Sequence, residues 1–266
     1  LRNMRIGLRS RLSHGRGDEP AELMSASLSS IPGGLLQPAA YPHSVDGVEL
    51  LTTHVSWVLL AGEYAYKIKR PVRYPFIDLT SLERRRFLCE EELRLNRRFA
   101  PDLYIDVCRI IAANGAPRIF ASGATSAAPS GWEEETVLDY AVRMRRFPQT
   151  EELDRLLDVR RIEPHELETF GRRLAQMHAR LPAAPTTSSW GTPEQVQVQV
   201  LRNLLECVDA AAVFGWSREV LALRPTLQAR LTAAASWMAA RRTSGRVREC
   251  HGDLHWRNIA RIGGWL

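Results

Sequence analysis

Two kinds of hydrophobic pattern divide this chain of 266 residues near residue 150. Before that point, short runs rich in Val, Leu, Tyr and Trp are separated by turn residues, and Gly62-Glu63 separates two such runs as in a β-hairpin. After it, apolar residues such as Leu167, Leu174 and Leu181 recur at helical spacing. The order predicts an α+β fold, with a sheet-rich part that includes one helix and a second part that is mostly helical.

The same patterns predict the individual elements. Strands are expected over residues 48–54, 55–61, 64–69, 105–111, 118–121 and 137–147, with a loop rich in Gly, Ser, Ala and Pro over 123–135. A helix over 81–99 can be capped by Ser81 and stopped by Pro101. Two later helices are expected over roughly 194–214 and 217–242. A short strand over 259–262 is expected to turn back at Gly263-Gly264.

Composition excludes some classes of protein. No apolar run approaches the ~18 residues of a membrane helix, and the first twenty residues lack the apolar stretch of a secretory signal. Four cysteines lie far apart, as free thiols do in a reducing compartment. The net charge of +6 would suit an anionic ligand, but composition alone favours an ordinary basic surface. We therefore expect a cytoplasmic protein that binds neither membranes nor nucleic acid.

The run HGDLHWRN, from His251 to Asn258, carries the most chemical information. Phosphoryl transfer needs a carboxylate that orients the acceptor hydroxyl and takes its proton, and an amide oxygen that holds magnesium against the phosphates. Asp253 and Asn258, five residues apart on one loop, can do both. An Asp and an Asn at this spacing alone would be typical of an ordinary polar loop.

A second interpretation of this run is a metal site. His251, Asp253 and His255 alternate, so on a strand they would share one face and could belong to a metal-dependent hydrolase. Such a site needs further ligands, and no other dense His/Asp cluster occurs in the sequence. The kinase interpretation is therefore favoured.

A kinase loop predicts a phosphate-binding lysine on an upstream strand, held by a helical glutamate. In the run YAYKIKR, Ala65 is small enough for an adenine ring to lie against it, and Lys67 points to the same face. Lys69 shares that face and is the competing candidate. The glutamate is expected to be Glu92, which lies beside the apolar stripe of the helix, with Glu91 in reserve and Glu90 on the surface.

The strand before the helical half ends in MRRF, residues 144–147. In kinases the chain crosses between lobes at this point, and its backbone groups bond the adenine edge. A run of arginines on an edge strand is the alternative. The chain contains neither GxGxxG before the hairpin nor GxxxxGK[ST], so Ser56 or Gly62 would have to lie near the phosphates.

The strand lysine, the helical glutamate, the crossing segment and the HGDLHWRN run follow one another in the order found in kinases. Together they resemble the aminoglycoside-phosphotransferase family, whose loop has the form HGDLHxxN. The run also resembles the HRDxxxxN loop of protein kinases. The runs THVSWVLLAGEYAYKIKRPV, CEEELRLNRRFAPDLY, YAVRMRRF and LAQMHARLP look like the N-terminal part of bacterial two-part proteins. Those proteins join an aminoglycoside-phosphotransferase-like region to a C-terminal P-loop ATPase region. The resemblance covers roughly residues 36–266.

The resemblance implies an ATP-dependent phosphotransferase with a protein-kinase-like, two-lobed fold, which transfers the γ-phosphate to a hydroxyl of a small acceptor with Mg²⁺. It implies Asp253 as catalytic base, Asn258 as magnesium ligand, and an ion pair between Lys67 and Glu92. The residues expected at the adenine are Ala65, Met144, Arg145 and Phe147.

The resemblance also sets the expected boundaries. Residues 1–35 would be a disordered or weakly ordered extension, 36–147 the N-lobe and 148–266 the helical C-lobe. The family's second metal-binding aspartate would follow Gly263-Gly264, so we expect a chain that stops before its active site is complete. A non-catalytic, pseudokinase-like nucleotide-binding module is the alternative. The sequence does not identify the acceptor. Aminoglycosides are polycations that would need an acidic pocket, and this basic chain does not predict one.

Overall fold

The computed structural model describes residues 31–74, 77–113, 115–120 and 137–266. Within them the fold is α+β, with a curled antiparallel sheet and helices, as the sequence pattern predicts. The expected loop over 123–135 and the expected extension up to residue 30 lie outside the described residues.

Six strands form the main sheet in the order β1-β2-β3-β8-β6-β7, and β4 pairs with β5 apart from it. The hairpin of β2 and β3 has the predicted two-residue turn, in which Gly62 takes the left-handed conformation (φ 57°) that glycine tolerates best. The strands are β1 Val48–Thr52, β2 Ser56–Ala61, β3 Tyr64–Lys69, β4 Arg73–Tyr74, β5 Ile77–Asp78, β6 Tyr104–Ala113, β7 Ala116–Phe120 and β8 Val137–Arg145.

The position of β8 contradicts the alternative interpretation of the MRRF run as arginines on an edge strand. β8 lies between β3 and β6 and is not an edge strand. One arginine of its basic run, Arg143, bonds both carboxylate oxygens of Asp106 on β6, at 3.0 and 2.8 Å. Its guanidinium also lies over the Tyr64 ring, 5.4 Å from the centroid. Arg143 therefore joins the strands on either side of β8 and is not a solvated edge residue.

The helices are α1 Leu82–Asn96, α2 Leu153–Asp158, α3 Pro164–Arg180, α4 Pro193–Ala211, α5 Ser217–Leu221 and α6 Arg224–Thr243. Ser81 caps α1 as predicted, since its hydroxyl accepts the Arg84 N–H at 3.1 Å. The single helix expected over 217–242 was wrong, because two helices occupy that stretch. Pro225 explains the break, since proline has no N–H to donate and fits the first turn of a helix.

One face of the main sheet packs against the chain that precedes β1. Tyr41 donates its hydroxyl proton to the carbonyl of Leu35 at 2.8 Å inside this core. The weakly ordered extension was expected to run to residue 35, but Ile31 and Leu35 already belong to the buried core. The core cluster comprises Ile31, Leu35, Ala40, Tyr41, Leu59, Ala61, Tyr66, Ile68, Cys108, Ile110, Ile119 and Ala141.

A buried ion pair joins α1 to β8. The Arg85 side chain is 1% exposed and the Asp139 side chain 0%. Arg85 Nε lies 3.1 and 2.9 Å from the two carboxylate oxygens, and Arg85 Nη1 donates to the Thr80 carbonyl at 2.9 Å. The Tyr140 N–H donates to the same carboxylate at 2.8 Å. Burial raises the pKa of Asp139, and the Arg85 charge opposes that rise.

The described residues divide into two compact units. One contains 31–71, 80–90 and 106–144, and the other contains 72–79, 91–105 and 145–266. The division falls at 144–145, three residues before the expected boundary at 147–148, and the second part of α1 belongs to the second unit. No helix in the part of the chain that the structure describes has the length and apolar character of a membrane span.

Candidate functional site

The HGDLHWRN run forms a compact turn on the second unit. Gly252 has a φ of 80°, which a residue with a side chain adopts only with strain, so the chain can bend sharply just before Asp253. The run then enters a single 3₁₀ turn, Trp256–Asn258. His255 caps that turn, because its Nδ1 accepts the Arg257 N–H at 3.3 Å.

This turn brings Asp253 and Asn258 together. The Asn258 side-chain amide donates to the Asp253 main-chain oxygen at 2.8 Å and to Asp253 Oδ2 at 3.2 Å. The nitrogen of the Asn258 amide makes both bonds, so its oxygen is the atom that could meet a cation. The Asp253 side chain is 78% exposed and can be reached by a second molecule. The structure therefore places the two residues side by side on one turn.

The two histidines of the loop support its backbone. His251 Nδ1 accepts the Asp253 N–H at 3.3 Å, while the His251 ring packs edge-on against Phe99 at 5.5 Å between centroids. His255 Nε2 lies 3.8 Å from Asp253 Oδ2. Burial lowers the pKa of His251, the nearby Asp253 acts to raise it, and His255 adds to the lowering. A neutral His251 keeps the Nδ1 lone pair that the loop uses.

This arrangement gives the metal-dependent hydrolase no support. Nδ1 of His251 and Nδ1 of His255 already accept backbone N–H groups. Among residues 31–74, 77–113, 115–120 and 137–266, no three or more His, Cys, Asp or Glu side chains are placed to hold a metal ion. The loop is instead compatible with a magnesium ion bound mainly by phosphate oxygens, since magnesium often takes only one or two protein ligands in such sites.

The segment after the loop is anchored to the start of the helical part. The Leu153 N–H donates to the Ile259 carbonyl at 2.9 Å, and the Arg261 N–H to the Glu151 carbonyl at 2.8 Å. Arg257 Nε meets Asp154 Oδ2 at 3.1 Å. The predicted turn at Gly263-Gly264 is confirmed by an antiparallel bridge between Ile262 and Trp265.

A cavity of about 410 Å³ opens beside this turn. Its lining comes from the end of the MRRF run with the residues that follow it, and from the segment after the HGDLHWRN run. Its lining residues are Arg146, Phe147, Pro148, Glu151, Arg261, Ile262, Gly263 and Gly264.

Only one of the predicted adenine contacts from the MRRF run is among the described residues that line this cavity. Phe147 lines it, whereas Met144 and Arg145 are not among the described residues that do. The Arg145 N–H is also engaged, because it donates to the Leu103 carbonyl at 2.8 Å. The backbone of Arg145 is therefore a poor donor for a ligand. Of the predicted adenine contacts in the MRRF segment, only Phe147 is thus among the described residues that line the cavity, and their role at an adenine stays a prediction.

The first unit carries the predicted lysine on β3. Val58 on β2 pairs with Lys67, and Leu60 pairs with Ala65, so these residues share the face opposite to Tyr66 and Ile68. Ala65 is buried and Lys67 is half-buried. Ser56, paired with Lys69, lies on the same face and is 1% exposed, yet its Oγ has no hydrogen-bond partner. An unsatisfied buried hydroxyl is costly unless a ligand completes it.

The three glutamates of α1 have distinct surroundings. Glu90 is exposed and pairs with Arg86 at 2.8 Å, as expected for a surface position. Glu91 bonds Arg94 through both carboxylate oxygens, at 2.8 and 2.6 Å, and this arginine lowers the pKa of Glu91. Glu91 is thus engaged with Arg94 within the helix. The pairing of Lys67 with Glu92 stays a prediction.

Comparisons with known proteins assign no activity. The chain matches no protein-family model and no solved structure. It is similar to the uncharacterized proteins Mb2027c of Mycobacterium bovis and Rv2004c of Mycobacterium tuberculosis, with 28% identity over 133 residues in each case. The matched segment is 50% of this chain and 23% of each relative. The similarity thus spans about a quarter of the length of those proteins.

Proposed function

We propose that this chain carries the nucleotide-binding and catalytic-loop region of an ATP-dependent phosphotransferase, of the aminoglycoside-phosphotransferase type, with a protein-kinase-like two-lobed fold. The observation that carries the proposal is the Asp253–Asn258 pair, in which an exposed carboxylate and an amide are joined on one short turn. Phosphoryl transfer needs these two groups side by side, since the protein contributes positioning and charge and little covalent chemistry.

In the proposed reaction, Asp253 accepts the proton of an acceptor hydroxyl while that oxygen attacks the γ-phosphorus of ATP. The bond from the γ-phosphorus to the β,γ-bridging oxygen breaks, and ADP leaves. Magnesium, when bound, would offset the negative charge of the phosphates, with the amide oxygen of Asn258 as its protein ligand. The exposure of Asp253 leaves room for the acceptor beside the carboxylate.

The unsatisfied Ser56 hydroxyl supports a phosphate-binding role for the β2–β3 face. A phosphate oxygen would accept the hydrogen bond that Ser56 Oγ does not make in the described structure. Lys67 lies on the same face, two residues from the small buried Ala65. A hydroxyl, a cation and a small apolar residue on one face suit the phosphates and the edge of a nucleotide.

Changing Lys67 to alanine is expected to weaken ATP binding about 10- to 100-fold, because a hydrogen bond between charged groups contributes ~1.5–3 kcal/mol. Lys69→Ala is the matched control, since Lys69 lies two residues along the same strand and face, and it should bind ATP like the unchanged protein. Isothermal titration of both variants with ATP measures the difference. Equal losses in the two variants would place the phosphates away from Lys67.

The cavity beside Phe147 supports an adenine site. Phe147 and Ile262 both supply apolar surface to its lining, which suits a flat aromatic ligand. We expect Phe147→Ala to weaken ATP binding about 10-fold, because stacking of a base on an aromatic side chain contributes ~1–3 kcal/mol. Binding of inorganic triphosphate, which has no base, should not change.

Phe87→Ala is a suitable control for this substitution, since Phe87 is an exposed phenylalanine on α1. A Phe147 variant that loses affinity for ATP and for triphosphate alike would show that the cavity does not hold the adenine.

The overall proposal is tested by ADP release in the presence of ATP, Mg²⁺ and a panel of small hydroxyl compounds that includes sugars and aminoglycosides. Release that requires one of the compounds, with the phosphate recovered on it, supports phosphotransfer. ATP binding that requires Lys67 without turnover on any compound would favour a non-catalytic nucleotide-binding module. Absence of ATP binding would overturn both.

A further inference from the structure

Four charged side chains connect the end of α1 to the residue two positions before His251. Arg94 meets both carboxylate oxygens of Glu249, at 2.7 and 2.9 Å. Arg98 bonds the same carboxylate at 2.6 Å and the Glu249 main-chain carbonyl at 3.2 Å. Glu91 holds Arg94 from the other side. Glu249 is therefore held at its side chain and at its backbone.

This network differs from an ordinary surface ion pair. An isolated exposed ion pair contributes little to stability. A bidentate pair within a network of several charges holds its side chains in one geometry more firmly. The two arginines balance the two glutamates, so no charge is left over within the group. Both arginines lower the pKa of Glu249, to about 2, mainly through the hydrogen bonds from Arg94 and Arg98. Glu249 thus stays charged at any ordinary pH.

The network also fixes the chain that leads into the catalytic turn. His251 packs against Phe99, which follows α1, and His251 in turn accepts the Asp253 N–H. Phe99 also packs edge-on against His178 of α3, 6.1 Å between centroids. From Glu249 to Asp253 the loop is therefore held chiefly by the segment that runs from Arg94 to Phe99. The Asp253 side chain itself is mostly exposed, and Asn258 bonds it from within the same turn.

We infer that Glu249 is a positioning residue, which Arg94 and Arg98 use to hold the Asp253 loop in the geometry that phosphoryl transfer requires. The inference rests on the proposed function for its catalytic consequence. Its physical basis is that a misplacement of ~1 Å can cost about 100-fold in rate even when the altered residue lies away from the chemistry. Because Glu249 is expected to meet no nucleotide, its loss should lower kcat and leave the KM for ATP nearly unchanged.

The test is a double-mutant cycle of Glu249→Gln, Arg94→Gln and the combined variant. Hydrogen exchange of the amides of residues 250–258 reports the loop without any need for turnover, and kcat and KM for ATP report its effect on transfer. We expect each single variant to exchange faster in the loop and to lose about 10-fold or more in kcat. The losses in the combined variant should be less than the sum of the two single losses, because both changes break the shared contact between Arg94 and Glu249.

Two further variants separate positioning from folding. Arg86→Gln breaks the exposed Arg86–Glu90 pair earlier on the same helix and should alter neither measurement. Glu249→Asp keeps the carboxylate and should retain more kcat than Glu249→Gln, so it also serves if the latter folds poorly. Unchanged exchange in residues 250–258, or additive losses in the cycle, would overturn the inference.

Failure of the proposed function can be distinguished from failure of this inference. If the unchanged protein transfers no phosphate to any acceptor while the variants still loosen the loop, the network is structural only. The catalytic role of Glu249 is then overturned together with the phosphotransferase.

Discussion

In a version of the protein extended through the expected second metal-binding aspartate, replacing Asp253 with asparagine should slow acceptor-dependent phosphoryl transfer ~10²–10⁴-fold, the usual cost of losing a general base. Asparagine has nearly the same shape and can still receive the Asn258 amide on its oxygen, so the turn should keep its conformation. ATP affinity should change little, because the proposed partner of Asp253 is the acceptor hydroxyl. The measurement is kcat from ADP release, paired with an ATP titration of the same samples.

Asp209→Asn provides the control for this substitution. Asp209 is an exposed aspartate on α4, so the same chemical change there should leave turnover intact. Wild-type turnover in the Asp253 variant would show that another group takes the proton. A parallel loss of ATP affinity would indicate instead that the carboxylate contacts the nucleotide or its metal.

Replacing Arg85 with methionine should lower the free energy of unfolding by ~3–5 kcal/mol, because it leaves the Asp139 carboxylate buried without its cation. The carboxylate accepts two bonds from Arg85 and is fully enclosed, so water cannot substitute for the guanidinium. Urea denaturation followed by circular dichroism measures the loss.

Two companion variants make this prediction specific. Arg85→Met combined with Asp139→Leu should recover most of the stability, since apolar residues of similar volume often replace a buried ion pair at little cost. Arg86→Met, one residue along α1, breaks only an exposed pair and should change the stability little. If the combined variant is less stable than Arg85→Met alone, the cost comes from lost packing and not from an unpaired charge.

Features that depend on neighbours in sequence could be predicted. Gly62 and Glu63 between two apolar runs indicated the hairpin, and Ser81 indicated the start of α1. Each of these is decided by local backbone preference or by a single turn. The break before α6 also has a local signal, Pro225 in the first turn of that helix.

Features that join distant segments could not be predicted. Arg85 and Asp139 are 54 residues apart, and Arg94 and Glu249 are 155 residues apart. One signal was present for the first pair, since Asp139 interrupts the apolar run of β8, and a buried aspartate needs a cationic partner. The chain contains 34 arginines, which offer many partners of equal charge, so only the fold selects Arg85. The lysine–glutamate pairing and the nature of the acceptor depend on the same kind of information and stay predictions.

The sheet order has a consequence for how the chain is made on the ribosome. β3 ends at Lys69, but its second neighbour in the sheet, β8, begins only at Val137. At ~5–20 residues per second, translation leaves one side of the β1–β3 meander without a partner for several seconds. An open strand edge can pair with other chains during that interval. Slower synthesis between these segments should therefore increase aggregation of the nascent protein, whereas slower synthesis after residue 145 should have a smaller effect.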